Sequence, residues 1–356
     1  MNPIQKIKTS NFWIRLTHWE FWPFEVVYIP IFIYWLWLSL RARSLFFFTA
    51  SNPGIMYGGM LGESKYEILM GLPETLIPKT VIANNHITLP AALDMMKHHN
   101  LRFPIILKPD IGERGWQVEK IANENELEAY LNANNVDILF QEYIDLPLEL
   151  GILYYRFPDK KTGRITSVVK KKMLEITGNG SSTIKELMYS IPRAKLQIET
   201  FEKDQPEVLA NVPASGEKIE LMPIGNHCRG TTFLNANDLI TKELTAVFDA
   251  VSDKIDGFYF GRFDIRCESK EALYNGKMKI MELNGAGSEP GHIYHPGARL
   301  IDAYKSLFSH WKALFLISRM NNKRGIPYLS FVEGLRVIKK LRDYNKLKVK
   351  TLNLNV

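Results

Sequence analysis

Apolar and polar positions change period several times along the chain, and each change marks an element. "FPIILKPDIGERGWQVEKI" reads as strand, glycine loop, strand, a hairpin whose loop runs from Pro109 to Gly115. "VDILFQEYI" is a strand of mixed apolar character, and "LELGILYYRFPDKKTGRITSVVKKKML" is an antiparallel hairpin turning at "DKKTG". "FYFGRFDIRCE" and "KMKIMELN" form a further strand pair. Helical spacing predicts helices over "LPAALDMMKHHN", "NENELEAYLNAN", "STIKELMYSI", "NDLITKELTAVFDAVSDKI" and "RLIDAYKSLFSHWKALFLISRM". "NPGIMYGGMLGESKYEIL" is a glycine-rich turn running into a helix, and "LPETLIPKTVIA" ends in a short strand. Strand pairs interspersed with helices imply an α+β fold with antiparallel sheets.

The N-terminal region breaks this alternation. Val26 to Leu40 carries no charge, but fifteen residues fall short of the roughly 20 that a helix needs to cross a bilayer. Trp13, Trp19, Trp22, Trp35 and Trp37 crowd the segment, and tryptophan favours the membrane interface. Basic residues on both sides (Lys6, Lys8, Arg15, then Arg41 and Arg43) give no direction of crossing. An in-plane or re-entrant arrangement, a single span, a buried helix and a dimer interface all satisfy the pattern. The late start and the lack of a small-residue cleavage site speak against a signal peptide.

Composition narrows the functional classes. Of 356 residues, 46% are hydrophobic and 23% charged, the balance of a folded chain. The net charge of +7 suits phosphate ligands or an anionic membrane surface. With no zinc-finger spacing and no RNA-binding signature, nucleic acid is not expected as a partner. Part of the excess lies in the C-terminal run "RVIKKLRDYNKLKVK". Two cysteines, Cys228 and Cys267, make no disulfide framework and point to a reducing compartment.

Candidate chemistry gathers in three places. In "KPDIGERG", Gly112 and Gly115 let backbone N–H groups approach phosphate oxygens, while Lys108 and Arg114 supply charge. In "GRFDIR", Arg262 and Asp264 are two apart and share a strand face. In "IMELNGAGSEPGHIYHPG", Glu282 and Asn284 share a face in the same way. Taken singly, these read equally as a turn, a surface ion pair and a polar strand end. Brought together across a strand pair, Asp264, Glu282 and Asn284 make an oxygen cluster suited to Mg²⁺, with Arg262 beside it to face a transferring phosphoryl group.

The series Lys65, Lys108, Glu142, Glu149, Arg262, Asp264, Glu282, Asn284 resembles the ATP-grasp superfamily. It is most similar to the carboxylate–amine ligases of the D-alanine–D-alanine ligase and cyanophycin-synthetase types, over roughly residues 58–297. The resemblance implies an ATP-grasp fold, in which two subdomains with antiparallel sheets grip ATP. It implies an ATP-grasp domain at 51–320, preceded by the segment 1–50 that its own composition marks as aromatic and membrane-associating or hydrophobic helical. Within the latter, 61–140 would form the nucleotide lid and 141–320 the metal and substrate side, with a basic tail at 321–356. Lys65 and Lys108 would meet the nucleotide phosphates, together with Gly112, Arg114 and Gly115. Glu142 would end the adenine-side hinge strand, Glu149 would take the ribose, and Lys170 or Lys171 would add a nucleotide contact. Asp264, Glu282 and Asn284 would hold Mg²⁺ or Mn²⁺, and Arg262 would face an acyl phosphate. On the substrate side stand Arg229, Ser288, Glu289, His292 and His295, the histidines alternatively only capping their loop. The implied activity is ATP-dependent ligation of a carboxylate to an amine or thiol, on an amino acid, peptide or envelope precursor, in the cytoplasm at the membrane face. The alternatives are a catalytically inactive ATP-binding scaffold and a kinase-like phosphotransferase on the same fold. The family's N-terminal α/β domain is replaced here by the aromatic segment, and nothing in the sequence sets the oligomeric state.

Overall fold

The computed structural model describes residues 10–112, 115–222, 225 and 230–354, without the side chains of 204, 222 and 347–354. Among the described residues, eleven strands form three antiparallel sheets. The first sheet has the order β1-β4-β2-β3, from β1 (Thr80–Ala83), β2 (Ile105–Pro109), β3 (Glu119–Ile121) and β4 (Ile138–Glu142). Helices Leu89–His98 and Glu124–Ala133 cover one of its faces, burying Met96, Leu127 and Tyr130 against Ile105, Leu107 and Phe140. Asn123 caps the second helix by accepting from the Glu126 N–H, as its place before the apolar run predicts.

The second sheet carries most of the polar candidates. Its order is β11-β10-β5-β6-β9, from β5 (Leu148–Tyr155), β6 (Arg164–Lys172), β9 (Thr232–Asn235), β10 (Phe260–Cys267) and β11 (Lys279–Asn284). Phe263 and Ile265 of β10 point into the main core against Phe248 of the helix Lys242–Ser252. The alternate residues Arg262, Asp264 and Arg266 therefore point the other way, into a cavity. β7 (Leu174–Thr177) and β8 (Lys218–Met222) pair separately and carry a satellite core with Ile184, Met188 and Phe201, a unit the sequence reading left inside 141–320.

Both ends of the chain pack onto this frame. The N-terminal segment forms helices Asn11–Thr17, Phe24–Val27 and Ile29–Ala42. Ile31 and Leu38 are buried against the helix Leu300–Lys323 through two aromatic-rich clusters. The region expected as a basic tail is instead a helix, Phe331–Leu354, because Val337 and Leu341 give it an inner face. Leu341 lies over Gly62, and Tyr344 Oη donates to the Ile111 carbonyl at 3.1 Å. Among the described residues no helix is long and apolar enough to cross a membrane.

Candidate active site

A cavity of about 1260 Å³ opens between the first two sheets and runs under both chain ends. A backbone irregularity helps build it. β10 and β11 pair Asp264 with Glu282 and then Ile265 with Ile280, so Met281 is an extra residue, a β-bulge. The Met281 carbonyl accepts from Lys108 Nζ at 3.2 Å and from Gln141 Nε2 at 3.4 Å. Lys108 also donates to Gln141 Oε1 at 3.1 Å, so one lysine and one glutamine tie the first sheet to the second. Burial pushes the Lys108 ammonium down to about 8, against the pull of Glu282 and with Lys65 adding to the depression.

Opposite Lys108 the charges interlock. Arg262 Nη2 meets Asp264 Oδ2 at 2.9 Å, and Lys171 Nζ lies 3.3 Å from Asp264 Oδ1 and 3.1 Å from Glu149 Oε1. Arg266 grips Glu149 Oε2 with two N–H groups at 3.0 and 2.7 Å. Burial works against the charge on both carboxylates. Arg262 and Lys171 outweigh it at Asp264, and Lys171 and Arg266 at Glu149, so each carboxyl is held below its ordinary range. Gly151 stands opposite Asp264 in β5, where a Cβ would lie 3.1 Å from Oδ1 and 2.9 Å from Val169 Cγ1. The glycine leaves the carboxylate its room.

The donor set fits a hard cation. Asp264, Glu282 and Asn284 all line the cavity, and Asp264 Oδ1 is buried with the Lys171 ammonium 3.3 Å away as its neighbour. Oxygen ligands of this kind suit Mg²⁺, which takes few protein ligands and fills the rest with phosphate and water. Two carboxylates and an amide make the set; among the described residues no group of three or more His, Cys, Asp or Glu is assembled for a metal.

The loop after β11 is pinned in place. Ala286 and Gly287 donate to the carbonyls of Gly58 and Gly59 at 2.8 and 2.9 Å. Gly59 and Gly285 pass so closely that a Cβ on either would strike the other's backbone below 3 Å. Behind this turn, buried Asn52 donates to the Gly58 and Phe260 carbonyls and accepts from the N–H groups of Tyr259 and Phe260, all at 2.8–2.9 Å. Ser288 Oγ donates to the Asn284 carbonyl at 2.6 Å and accepts from the Arg262 N–H at 3.1 Å. Glu289 accepts from the Tyr28 hydroxyl and, at 3.0 Å, from that of Tyr294; burial pushes its carboxyl up to about 7.

The remaining expected residues divide. Lys65, at the start of the helix Lys65–Met70, lines the cavity and donates to the carbonyls of Asp110 and Gly112. Gly112 and Gly115 line it too. Glu142 does not: on β4 the alternation turns Gln141 and Tyr143 toward the cavity, and Glu142 accepts from the Lys79 N–H on the far side. Of the two lysines, Lys171 faces in, and Lys170 is exposed on the other face of β6. His292 and His295 are off the cavity wall. His292 is held neutral by burial, its pKa pushed down to about 4, and His295 Nδ1 accepts from the Asn235 N–H at 3.1 Å. Arg114 and Arg229 lie outside the described residues. Sequence reasoning missed Gln141, Arg266 and Tyr28. Strand parity from Lys108 and Asp264 points to the first two; Tyr28 carries no local signal.

Residues 69–150, the first sheet with the start of the second, match the family model of the RimK-like ATP-grasp domain. Over these residues the fold is that of an ATP-grasp domain. No curated protein matches the chain. Solved structures similar to the chain include the VanG D-Ala:D-Ser ligase from Enterococcus faecalis, at 15% identity and a TM-score of 0.40 over 72% of this chain and 61% of that one. The D-alanine–D-alanine ligase from Bacillus anthracis is 12% identical, with a TM-score of 0.41 over 73% of this chain and 68% of that one. A bifunctional glutathione synthetase from Pasteurella multocida is 14% identical, with a TM-score of 0.34 over 69% and 35%. The chain thus spans about three fifths of the length of the first of these. ATP-grasp ligases use ATP with Mg²⁺ or Mn²⁺.

Proposed function

We propose that this chain is an ATP- and Mg²⁺-dependent carboxylate–amine ligase. The observation that carries the reading is the convergence of Lys108, Lys171, Arg262, Asp264, Glu282 and Asn284 on one cavity between two antiparallel sheets. Tyr143 and Ile144, just past the end of β4, line the cavity with Lys65 and Lys108; in this reading the first pair would meet adenine and the lysines the phosphates. Asp264, Glu282 and Asn284 would hold the cation, which when bound neutralises charge on phosphoryl oxygens. Both oxygens of Glu149 are engaged by Arg266 and Lys171, so a ribose contact there would share the carboxylate with two cations.

In this reading the γ-phosphoryl group passes to a substrate carboxylate, and an amine then displaces orthophosphate. Arg262 holds the negative charge that develops on the transferring group and then on the tetrahedral oxygen. Ser288, bonded to the Arg262 backbone, fixes the loop that borders the reacting carboxylate. Glu289, its carboxyl pushed up to about 7 by burial and therefore about half ionised at neutral pH, would in its ionised form take a proton near the loop. The amino-acid, peptide or envelope-precursor substrate and the cytoplasmic membrane-face location belong to the same proposal. Supporting the latter, Ile29, Phe32, Ile33, Leu36, Trp37 and Leu40 form an exposed helical stripe with Arg41 and Arg43 beyond it.

ADP and orthophosphate release with Mg-ATP, screened against pooled amino acids, dipeptides and small carboxylates, tests the activity, with Glu282→Ala as control. Release of both products, lost in the variant, is the expected result. ADP without orthophosphate would make the chain a phosphotransferase, and tight Mg-ATP binding with no turnover in any pool would favour the inactive scaffold.

A further inference from the structure

The cavity is larger than its polar half requires. About 1260 Å³ exceeds the roughly 300–1,000 Å³ of ordinary small-ligand pockets. Its character changes at the loop after β11. Asn284 belongs to the polar cluster, but two residues on Ala286 is packed into an apolar cluster with Phe46, Phe48, Leu314 and the partly buried Trp35 and Trp311. Those five side chains line the same cavity. An arm walled by hydrocarbon and aromatic rings therefore continues from the candidate reaction centre, between the N-terminal helices and the helix Leu300–Lys323.

The arm also has a mouth. Phe32, Phe331, Leu335 and Ile338 line the cavity and are at the same time 46%, 57%, 49% and 44% exposed. They sit on the helices Ile29–Ala42 and Phe331–Leu354, whose exposed apolar residues continue outward. Arg336, Lys339 and Lys340 flank Leu335 and Ile338 in sequence, and all three are exposed. Apolar side chains at a cavity rim with cations beside them match an amphiphile arriving from an anionic lipid surface.

We infer that one of the two substrates joined at this site is an amphiphile, whose carboxylate or amine reaches Arg262 and Asp264 while its hydrocarbon tail fills the apolar arm. The inference rests on the ligase reading for the polar end and on the cavity walls for the tail. It explains why the segment ahead of the ATP-grasp domain is aromatic: its side chains complete a wall that the two sheets do not reach. Tyr28 joins the two halves, stacking on Phe24 and donating to Glu289 at the border.

Calorimetric titration separates the parts. Straight-chain carboxylates, and separately straight-chain amines, of two, six and ten carbons are titrated below their aggregation concentrations in the presence of Mg²⁺ and a non-hydrolysable ATP analogue. The analogue is also titrated alone. One of the two series should tighten by about fourfold per methylene buried. Phe331→Ser combined with Leu335→Ser, at exposed positions that folding tolerates, should remove most of that gain. Leu40→Ser, 78% exposed and off the cavity wall, should leave it intact. Flat affinity in both series with the ATP analogue bound would overturn the inference and leave the ligase reading standing. Chain-length dependence without any nucleotide binding would sustain the arm and overturn the ligase reading. A gain that Leu40→Ser lowers as much as the double variant would mark surface adsorption and overturn the inference.

Discussion

Glu289→Gln isolates one strongly displaced titration in the candidate site. The carboxyl faces the cavity, accepts from two tyrosines and, held by burial, titrates at about 7 instead of the ordinary 4.5. The folded protein therefore keeps a proton that the unfolded chain loses between pH 4.5 and 7. Stability must fall as pH rises through that window and level off above it. At about 1.4 kcal/mol per unit, a displacement of about 2.5 units makes the total about 3.5 kcal/mol. Glutamine has nearly the same shape, still accepts from Tyr28 and does not titrate. The variant should match the wild type near pH 4.5 and be more stable by up to about 3.5 kcal/mol at pH 8, with all other titrations cancelling in the difference. Urea unfolding at intervals of half a pH unit measures it. A stability difference independent of pH would refute the argument, because it would mean that Glu289 titrates alike in the folded and unfolded chains.

Lys108 carries its charge only below about pH 8 in the free protein. A bound triphosphate would raise that value, so binding above pH 8 should take up a proton and the Mg-ATP dissociation constant should climb by up to tenfold per pH unit. Lys108→Arg, which cannot lose its charge, should abolish the climb in the same titration. Liposome flotation addresses the exposed stripe: full-length protein should float with anionic vesicles and dissociate as salt rises, and Ile33→Glu with Leu40→Glu should leave it at the bottom of the gradient. Wild-type protein that stays at the bottom with anionic vesicles would end the membrane proposal.

How far the site could be read from sequence depended on strand parity. Arg262 and Asp264, and Glu282 and Asn284, were legible as pairs because a spacing of two on a strand fixes a shared face. Their meeting across β10 and β11 followed from the antiparallel pairing. The bulge at Met281 was not legible, since nothing in Ile-Met-Glu distinguishes an extra residue from a regular one, yet its free carbonyl is what Lys108 grips. The resemblance points to Glu142 as the end of the adenine-side hinge strand, although parity with Lys108 across β2 and β4 favours Gln141. Lys170 and Lys171 stayed ambiguous because Val168 and Val169 are both buried, so no alternation before them sets the phase. The contact of Tyr28 with Glu289 spans 261 residues and has no local trace at all.

The N-terminal segment shows why hydropathy alone stopped short. A run that is apolar at every position hides which side is inside. In the fold, Ile31 and Leu38 are buried while Ile29, Ile33, Leu36 and Leu40 are half or more exposed, so one helix has two apolar faces with different occupants. Its fourteen residues extend about 21 Å, against roughly 30 Å of bilayer hydrocarbon. On the proposed membrane attachment, a helix of that length would satisfy both faces by lying flat, with one against the protein and the other against lipid. Lying flat also sets Phe32 at the cavity rim, so the geometry that anchors the chain would be the one that admits a tailed substrate. The two proposals can therefore fail separately: a protein that floats but binds short and long chains alike keeps the anchor and loses the arm, and one that binds long chains but does not float keeps the arm and loses the anchor.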